Sequence, residues 1–411
     1  MSAPRCRLCA AVLHDTFVDL GVTPLCEQYV SAERYDDAEP MYPLRSYVCR
    51  SCYLVQLEAL VSPADIFTEY AYFSSYAHTW VAHARRYTAM AIARFGLDRT
   101  RFVVEIGSND GYLLQHVVAA GIPALGIDPA ANVAAAAREK NVPTLVAFFG
   151  EAVARVLAAE GGRADLIVAN NVLAQVPDLH DFARGIAALL QPHGVVTIEV
   201  PHLLRLMQEN QFDTIYHEHF SYFSLLTAQR LLAEHGLRCF DVEQLATHGG
   251  SLRLYACHAG NPALPTSAAV GALERHERAA GLTRMERYAA FAERVQETKR
   301  AILDFLIAAK RDGRTVVGYG APGKGNTLLN YCGVRADLIA YTVDLNPYKQ
   351  GKFLPGTRIP IHAPARIAET RPDYLFVLPW NLKDEIMAQM RGIAAWGGRF
   401  VIPIPAPHVL P

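Results

Sequence analysis

The most chemically dense stretch of the chain is Tyr216-His217-Glu218-His219. A positioned imidazole can remove a proton beside a carbonyl group, because histidine titrates near neutral pH. A neighbouring carboxylate can fix the tautomer of that imidazole, and a tyrosine hydroxyl can hydrogen-bond a developing enolate. A metal site is disfavoured because the H-E-H spacing differs from the H-E-x-x-H of zinc enzymes. We interpret the segment as one that transfers protons; the alternative is an aromatic core strand with satisfied polar tips.

Four of the eight cysteines form two C-x-x-C pairs, Cys6 with Cys9 and Cys49 with Cys52. Each pair can place two thiolates on one turn, and two such turns complete a tetrahedral site. Four thiolates fill every position around zinc, so the spacing predicts a structural ion with no open position for catalysis. Two unconnected pairs or a redox motif are the alternatives, but neither pair has the strand–helix context of a redox motif.

A strand, a tight glycine turn and a helix start follow one another from residue 101. Residues 101–106 predict a strand that runs into G-S-N-D-G at 107–111, where glycines let the backbone approach a ligand. The next two predicted strands end in Asp128 and in Asn170-Asn171, and a carboxylate after the second strand suits the hydroxyls of a ribose. Alternating strands and helices predict a doubly wound parallel sheet. The loop lacks G-x-G-x-x-G, which disfavours a nicotinamide-dependent dehydrogenase.

A second unit of the same kind lies in the last third of the chain. A charged, alanine-rich stretch over 267–310 has apolar residues at helical spacing and predicts long helices that join two lobes. Residues 314–329 then predict a strand, a glycine loop and a helix, and further strands are predicted at 338–344 and 374–378. A second Rossmann-like domain is therefore expected. Lys324 and the loop amides can bind a phosphate; a surface turn with a solvated lysine is the alternative.

Two further polar segments can belong to a ligand site. The run H-G-G-S-L-R at 248–253 has glycines that allow a close approach, and Ser251 and Arg253 can contact phosphate or sugar. A hairpin turn explains these glycines equally well. The run E-Y-A-Y-F-S-S at 69–75 joins the cysteine-rich segment to the central one, and on its own it indicates a packed aromatic linker.

The composition is that of a globular protein with several domains. The chain has 411 residues, of which 51% are hydrophobic and 19% charged, so it exceeds one hydrophobic core and is not disordered. A net charge of -1 provides no cationic surface, so no nucleic-acid partner is expected. No uncharged apolar run reaches the length of a membrane span, and no apolar signal segment opens the sequence. We therefore expect a cytoplasmic enzyme without a membrane partner.

In their order, these motifs resemble those of the nucleotide-sugar C-methyltransferases, in particular the sugar 3-C-methyltransferases of deoxysugar biosynthesis. The loop V-E-I-G-S-N-D-G and Asp128 look like the first motif and the ribose-binding acid of a class I S-adenosylmethionine methyltransferase. The other motifs that carry the resemblance are the C-x-x-C pairs, E-Y-A-Y-F-S-S, N-N-V-L-A, Y-H-E-H-F-S-Y-F-S, H-G-G-S-L-R and G-Y-G-A-P-G-K-G-N-T. The chain departs from the family at Gln175, where a histidine is frequent. Glutamine can hydrogen-bond but cannot relay a proton.

The resemblance covers essentially the whole chain and implies an α/β protein of three parts. These are a zinc-binding domain over 1–66, a class I methyltransferase Rossmann-like domain over 67–262, and a helical linker with a second Rossmann-like domain for the nucleotide sugar over 263–411. Family members deprotonate the carbon beside the ketone of a nucleotide-linked 4-keto-6-deoxy sugar and methylate it from S-adenosylmethionine. The implied cofactors are S-adenosylmethionine and structural zinc, and the implied partner is a nucleotide-linked keto sugar. A monomer or weak homo-oligomer is expected.

The same resemblance implies roles for individual residues. His219 is the expected base, supported by Glu218, Tyr216 and Tyr70. The expected contacts of S-adenosylmethionine are Glu105, Gly107, Asn109, Asp110, Asp128, Pro129, Phe148, Asn170 and Asn171. The expected contacts of the sugar nucleotide are Tyr72, Tyr222, Ser251, Arg253, Tyr319, Lys324, Asn326, Thr327 and Lys349. Two alternatives remain: a sugar O-methyltransferase, and a non-catalytic zinc-containing protein that binds nucleotide sugars.

Overall fold

The computed structural model describes residues 3–67 and 73–411. Its strands are β1 (Asp15–Thr23), β2 (Tyr42–Val48), β3 (Val55–Leu57), β4 (Val103–Ile106), β5 (Ala124–Asp128), β6 (Thr144–Val146), β7 (Ala164–Asn170), β8 (Leu190–Pro201), β9 (Ser221–Tyr222), β10 (Leu237–Leu245), β11 (Ser251–His258), β12 (Val316–Tyr319), β13 (Thr342–Val343), β14 (Ile361–His362), β15 (Tyr374–Val377), β16 (Arg399–Ile402) and β17 (His408–Leu410). Its α-helices are α1 (Pro63–Phe67), α2 (His78–Phe95), α3 (Leu114–Ala119), α4 (Ala131–Glu139), α5 (Glu151–Glu160), α6 (Leu179–Leu189), α7 (Leu203–Gln208), α8 (Leu225–Glu234), α9 (Ala268–Ala279), α10 (Met285–Ala289), α11 (Phe291–Arg311), α12 (Gly323–Cys332), α13 (Arg366–Thr370) and α14 (Lys383–Gln389).

The cysteine-rich segment folds into an antiparallel sheet of order β1-β2-β3-β9. Its last strand comes from far along the chain, because Val55 of β3 pairs with Tyr222 of β9. The residues just before β9 are those of the Tyr216–His219 segment. The sheet of the zinc-binding domain therefore fixes the position where the Tyr216–His219 segment ends, and this is the segment that we expect to transfer protons.

The central sheet has the order β10-β11-β8-β7-β4-β5-β6, with a parallel core and an antiparallel β10–β11 hairpin at one end. The parallel strands β4 and β7 are almost entirely buried, as expected for strands covered on both faces. From β4 the chain winds outward to β5 and β6, and then returns to β7 on the other side. Ligands bind at such a switch point, at the carboxyl ends of the strands.

The third sheet has the order β14-β13-β12-β15-β16-β17 and is parallel except for β17. The expected second Rossmann-like domain with its own sheet is confirmed. The strand predicted at 338–344 pairs only at β13, because Leu338 donates its N–H to the carbonyl of Arg335 in a turn. The fully buried Ile339 explains why a strand-like apolar run stands there.

The predicted long helices are present, and α11 is the longest at 21 residues. Its buried positions include Val295, Ile302 and Leu306, a stripe at helical spacing. The N-terminal sheet packs on the same helix: the rings of Phe17 and Phe291 stack with centroids 4.5 Å apart. One hydrophobic core thus joins the zinc-binding and C-terminal domains.

The helix after the glycine turn begins at Leu114, later than the sequence suggested, so residues 107–113 form an extended turn at the end of β4. Such a turn exposes backbone amides toward a ligand. Within the described ranges, no helix has both the length and the apolar character that a membrane span requires.

Candidate active site

A cavity of about 1020 Å³ lies at the carboxyl edge of the central sheet. Its wall includes Gly107 and Asn170 from the central domain, Lys324 and Asp344 from the C-terminal domain, and Glu27 from the zinc-binding domain. Pockets for single small ligands usually measure about 300–1000 Å³. The space therefore suits two ligands side by side, one of them against each Rossmann-like domain.

The glycine turn is tied to the end of the second strand by Asp128. The backbone N–H of Asn109 donates to its Oδ2 and that of Ala130 to its Oδ1, each at 2.9 Å. Burial raises the pKa of the Asp128 carboxyl. Gly107 has φ +68°, and a Cβ there would lie 2.4 Å from the Val172 side chain, so glycine is required. Asp128 lines the cavity and keeps further lone pairs for a ligand.

The residues around this turn fit S-adenosylmethionine. Asn170 is 6% exposed, and neither its amide nitrogen nor its oxygen has a partner among the described residues. Such a buried amide suits the amino-acid end of the cofactor, while Asp128 suits its ribose. The ring of Phe148 is 47% exposed in the cavity wall, where it can cover an adenine. Pro129 and Asn171 also line the cavity.

Two predicted cofactor residues stand behind the turn and do not line the cavity. Glu105 is completely buried in β4, and this burial raises the pKa of its carboxyl well above the usual range. Asp110 pairs with Lys140 at 3.2 Å and accepts the N–H of Ser75 at 3.2 Å. Both carboxyl groups can shape the turn, and direct contact with the cofactor stays a prediction.

His219 lines the cavity, and one nitrogen of its ring is hydrogen-bonded to the protein. Its Nδ1 lies 3.0 Å from the carbonyl oxygen of Thr214, which can only accept a hydrogen bond. The proton of the neutral ring is therefore on Nδ1, and Nε2 carries a lone pair. Burial lowers the pKa of His219 to about 4, and the charge of Lys324 contributes to the lowering. The imidazole is neutral at pH 7 and able to accept a proton at Nε2.

The other residues of this segment separate into two groups. Tyr216 and Glu218 line the cavity beside His219, and the Tyr216 and His219 rings have centroids 4.2 Å apart. His217 points elsewhere, since its Nε2 donates to the carbonyl oxygen of Pro43 at 3.1 Å. Tyr222 touches the edge of the His219 ring at 6.2 Å between centroids but does not line the cavity. The two histidines thus do not form a shared metal site.

Tyr70 and Tyr72 lie outside the described residues. Their described neighbours Phe67 and Phe73 both line the cavity. The predicted roles of the two tyrosines stay predictions.

The C-terminal wall repeats the construction of the central one. Asp344 follows β13 as Asp128 ends β5: its Oδ2 accepts the N–H of Ala321 at 2.7 Å and its Oδ1 that of Asn346 at 2.8 Å. Tyr319 lines the cavity above the same turn. A carboxylate that holds a glycine turn at the carboxyl edge is therefore present in both domains.

Two lysines bring positive charge into the C-terminal wall. Lys324 donates to Oδ1 of Asn381 at 2.8 Å, and burial lowers its pKa. Lys349 donates to the carbonyl of Ala321 at 2.9 Å and pairs with Glu27 of the zinc-binding domain at 3.3 Å. Cations in a buried cavity suit a diphosphate.

Besides Tyr222, four predicted substrate residues do not line the cavity. The guanidinium of Arg253 is buried against Glu199 at 2.5 Å and against Glu243 at 2.7 Å. Ser251 donates its hydroxyl to the carbonyl of Thr247 at 3.0 Å. Asn326 donates to the carbonyl of Cys26 at 2.5 Å, and Thr327 to that of Gly323 at 3.4 Å. In this structure the donor groups of all four side chains bind protein atoms, while Oδ1 of Asn326 has no partner among the described residues.

Several lining residues were missed by sequence reasoning, among them Glu27, Trp80, His83 and His248. Trp80 and His83 stand three residues apart in α2 and so share a face of that helix, with ring centroids 4.9 Å apart. That spacing was the available signal. His248 opens the H-G-G-S-L-R run, whose glycines were the available signal there, although only Ser251 and Arg253 were expected as contacts. The placement of Glu27 depends on chain-distant packing and had no local signal.

The four cysteines come together outside the cavity. Their sulfur atoms lie within 4.8 Å of one another, with Cys6–Cys52 and Cys9–Cys49 both at 3.5 Å. Thiolates bound to zinc at about 2.3 Å are about 3.8 Å apart, so the donor set fits this ion. Gln56 supports the site by donating to Cys6 Sγ at 3.2 Å. With four protein ligands, zinc here is structural.

Comparison with protein families gives three adjacent matches. A zinc binding domain matches residues 6–67, a methyltransferase domain residues 80–242, and a C-methyltransferase C-terminal domain residues 246–405. C-methyltransferase NovU of Streptomyces niveus is 38% identical over 409 residues, which cover 99% of this chain and 96% of NovU.

Solved structures give weaker matches, limited to part of the chain. A SAM-dependent methyltransferase from Anabaena variabilis has 12% identity and a TM-score of 0.38, covering 49% of this chain and 99% of its own. Magnesium protoporphyrin IX methyltransferase from Synechocystis, solved with bound SAM, has 15% identity and a TM-score of 0.33, covering 43% and 79%.

Proposed function

Because this chain belongs to the C-methyltransferases and depends on S-adenosylmethionine, we propose that it methylates C-3 of a nucleotide-linked 4-keto-deoxysugar. In this proposal His219 is the base that converts the sugar carbon into an enolate. The observation that carries it is the tautomer of His219, whose Nδ1 is engaged by the Thr214 carbonyl within a cavity shared by both Rossmann-like domains.

Different residues of the cavity remove the proton, position the methyl donor and orient the base. The ketone of the sugar acidifies the neighbouring C–H bond, and Nε2 of His219 takes that proton while the electron pair moves onto the ketone oxygen. When bound, S-adenosylmethionine supplies an electrophilic methyl group on its sulfonium. Asp128 and the turn at Gly107 fix the position of that group, and Tyr216 and Glu218 orient the base. Holding the carbon and the methyl group in attack geometry supplies much of the rate gain.

The C-terminal wall supports a nucleotide-linked substrate. Lys324 and Lys349 bring cations to the cavity, and Asp344 stands where a ribose-binding acid stands in the central domain. Gln175 also lines the cavity and can hydrogen-bond a sugar hydroxyl. It cannot relay a proton, so His219 acts without a second titrating group at that position.

We further propose that the enzyme acts in the cytoplasm as a monomer or weak homo-oligomer, without a nucleic-acid partner. All eight cysteines are free of disulfides, which is typical of a reducing compartment. Size-exclusion chromatography with light scattering tests the oligomeric state.

The substrate proposal is tested by incubating the protein with labelled S-adenosylmethionine and a panel of nucleotide-linked 4-keto sugars. NMR of the product is expected to show a new methyl group on C-3. A methyl group on oxygen would establish the O-methyltransferase alternative. A protein that binds the sugar nucleotides but not S-adenosylmethionine in calorimetry would instead be a non-catalytic binding protein.

A further inference from the structure

A second imidazole, that of His248, lines the cavity and has no assigned role. It lies on the turn between β10 and β11 with φ +54°, a left-handed conformation that is uncommon for residues other than glycine. Its Nε2 lies 3.1 Å from Nδ2 of Asn171, which itself has φ +58°. Such a strained backbone conformation persists only where the surrounding structure enforces it, and it is found most often at functional sites. Two strained residues therefore hold each other at the cavity wall.

The hydrogen bond to Asn171 fixes which nitrogen of His248 carries the proton. The amide nitrogen of asparagine can only donate, so Nε2 of His248 accepts and the neutral ring carries its proton on Nδ1. No described residue accepts a hydrogen bond from Nδ1. The edge-on contact with Trp80, at 4.7 Å between ring centroids, holds the ring plane. The ring thus offers one fixed N–H donor to whatever occupies the cavity.

The ring stays neutral under the conditions of the reaction. Burial, together with the charge of Lys324, lowers the pKa of His248 to about 4; His219 and His83 contribute in the same direction, and Glu199 opposes them. The same lysine charge acts on His219, so Lys324 lies near both imidazoles. His219 and His248 are therefore both neutral imidazoles at this cavity, and they play opposite hydrogen-bonding roles: His219 presents a lone pair, and His248 presents an N–H.

We propose that His248 is a catalytic residue that donates a hydrogen bond from Nδ1 to the ketone oxygen of the sugar as this oxygen becomes an enolate. The inference rests on the function proposed above. The C–H proton goes to Nε2 of His219 and the electron pair goes to the ketone oxygen, while His248 keeps its own proton throughout. A neutral imidazole suits this role, because its N–H polarises a carbonyl without protonating it.

The nearby ammonium of Lys324 is less suited to this oxygen. It already donates to Oδ1 of Asn381 at 2.8 Å and lies 4.7 Å from the centroid of the Trp380 ring. The contacts of Lys324 are thus with the C-terminal wall, whereas the donor of His248 has no competing protein acceptor among the described residues.

The test compares His248→Asn with His248→Asp. Both side chains tolerate a left-handed backbone and place a terminal atom where Nδ1 stands, but the amide of asparagine donates there and the carboxylate of aspartate only accepts. His217→Gln is the matched control, because it replaces a buried histidine outside the cavity and keeps a donor for the Pro43 carbonyl. Each protein is assayed for kcat, for KM, for calorimetric affinity for S-adenosylmethionine, and for deuterium exchange at C-3 of a nucleotide-linked 4-keto sugar without cofactor.

Loss of one donor to a developing oxyanion lowers kcat by about 100-fold or more. We expect this loss in both kcat and exchange for His248→Asp, a loss below about tenfold for His248→Asn, and unchanged cofactor affinity in both. A structural role would lower the two variants alike and weaken cofactor binding as well. Equal rates in the two variants, or rates of the wild type in both, would overturn the proposal.

A second measurement covers the case in which the aspartate variant does not fold. In the wild-type protein with 15N-labelled histidine, NMR is expected to find His248 protonated on Nδ1, and protonation on Nε2 would refute the donor role. The two proposals fail distinguishably. If the wild-type protein catalyses no exchange with any keto sugar, the proposed function fails and this inference with it. If it exchanges normally and the variants behave alike, this inference alone fails.

Discussion

Replacing Arg7 with alanine is predicted to loosen the segment that carries His219. Arg7 stands between the first two zinc-ligating cysteines, and its guanidinium donates to the carbonyl oxygens of Leu57, at 2.7 Å, and of Phe220. The guanidinium also lies 5.6 Å from the centroid of the Phe220 ring. Burial lowers its pKa to about 10, so it remains charged at neutral pH. The zinc site is thereby connected directly to the residue after His219.

The structure sets the size of the effect. Leu57 and Phe220 are 4% and 1% exposed, so the alanine variant removes a buried donor from both carbonyl groups. The Phe220 carbonyl still accepts the N–H of Leu57 at 3.0 Å. A buried carbonyl group that loses its partner costs about 1–3 kcal/mol, and we expect a loss of about this size in the free energy of unfolding. Because the segment is then held less firmly, kcat should fall by about tenfold.

Arg50 provides the matched control, because it occupies the same place between the second pair of cysteines. Its side chain is 70% exposed and, among the residues that the structure describes, pairs with Asp15 alone, at 2.6 Å, so Arg50→Ala should cost less than about 1 kcal/mol. The assay is denaturant unfolding, with zinc content measured in each variant, followed by methyl transfer. Equal stabilities and equal rates for Arg7→Ala and Arg50→Ala would refute the reasoning.

Three further predictions concern the base, the cofactor and the metal. Burial lowers the pKa of His219 from 6.5 to about 4, so the neutral, basic form of the ring persists down to about pH 4. The value of kcat/KM should therefore fall on the acid side with a midpoint near pH 4, and a midpoint at pH 6.5 would contradict this. Asp128→Asn replaces one of two accepting oxygens by a donor, so the Kd for S-adenosylmethionine measured by calorimetry should rise by about 10- to 100-fold, and an unchanged Kd would contradict the role of Asp128. No cysteine of the zinc site lines the cavity. Removal of zinc by a chelator should nevertheless lower Tm and abolish methyl transfer, and added zinc should restore both. Retained activity in zinc-free protein would show that the zinc site does not support the Tyr216–His219 segment.

Local patterns were sufficient for features that depend on neighbours in the chain. The two C-x-x-C pairs form one cluster, and the acid Asp128 ends β5 as the alternation of strands and glycines indicated. Each cysteine pair lies within one turn and Asp128 within one strand–turn–helix unit, so their spacing carries the local geometry. That the two pairs meet follows from the four ligands that tetrahedral zinc requires.

Features that join distant segments could not be predicted in this way. Arg253 was expected at a ligand because it follows a glycine turn, but its partner Glu199 stands opposite it on β8, a pairing that only sheet register reveals. The strand β9 completes a sheet whose other strands lie at the start of the chain. The contact of His248 with Asn171 likewise requires the packed domain, because no periodicity connects the two residues.

The central claim, that His219 forms the enolate, is tested most directly by deuterium exchange at C-3 without cofactor in His219→Asn. Asparagine keeps a donor for the Thr214 carbonyl where Nδ1 stands and removes Nε2. Loss of a general base lowers rates by about 100- to 10,000-fold, and we predict a loss of this size in exchange and in methyl transfer, with unchanged affinity for S-adenosylmethionine. Exchange at the wild-type rate in this variant would contradict the account.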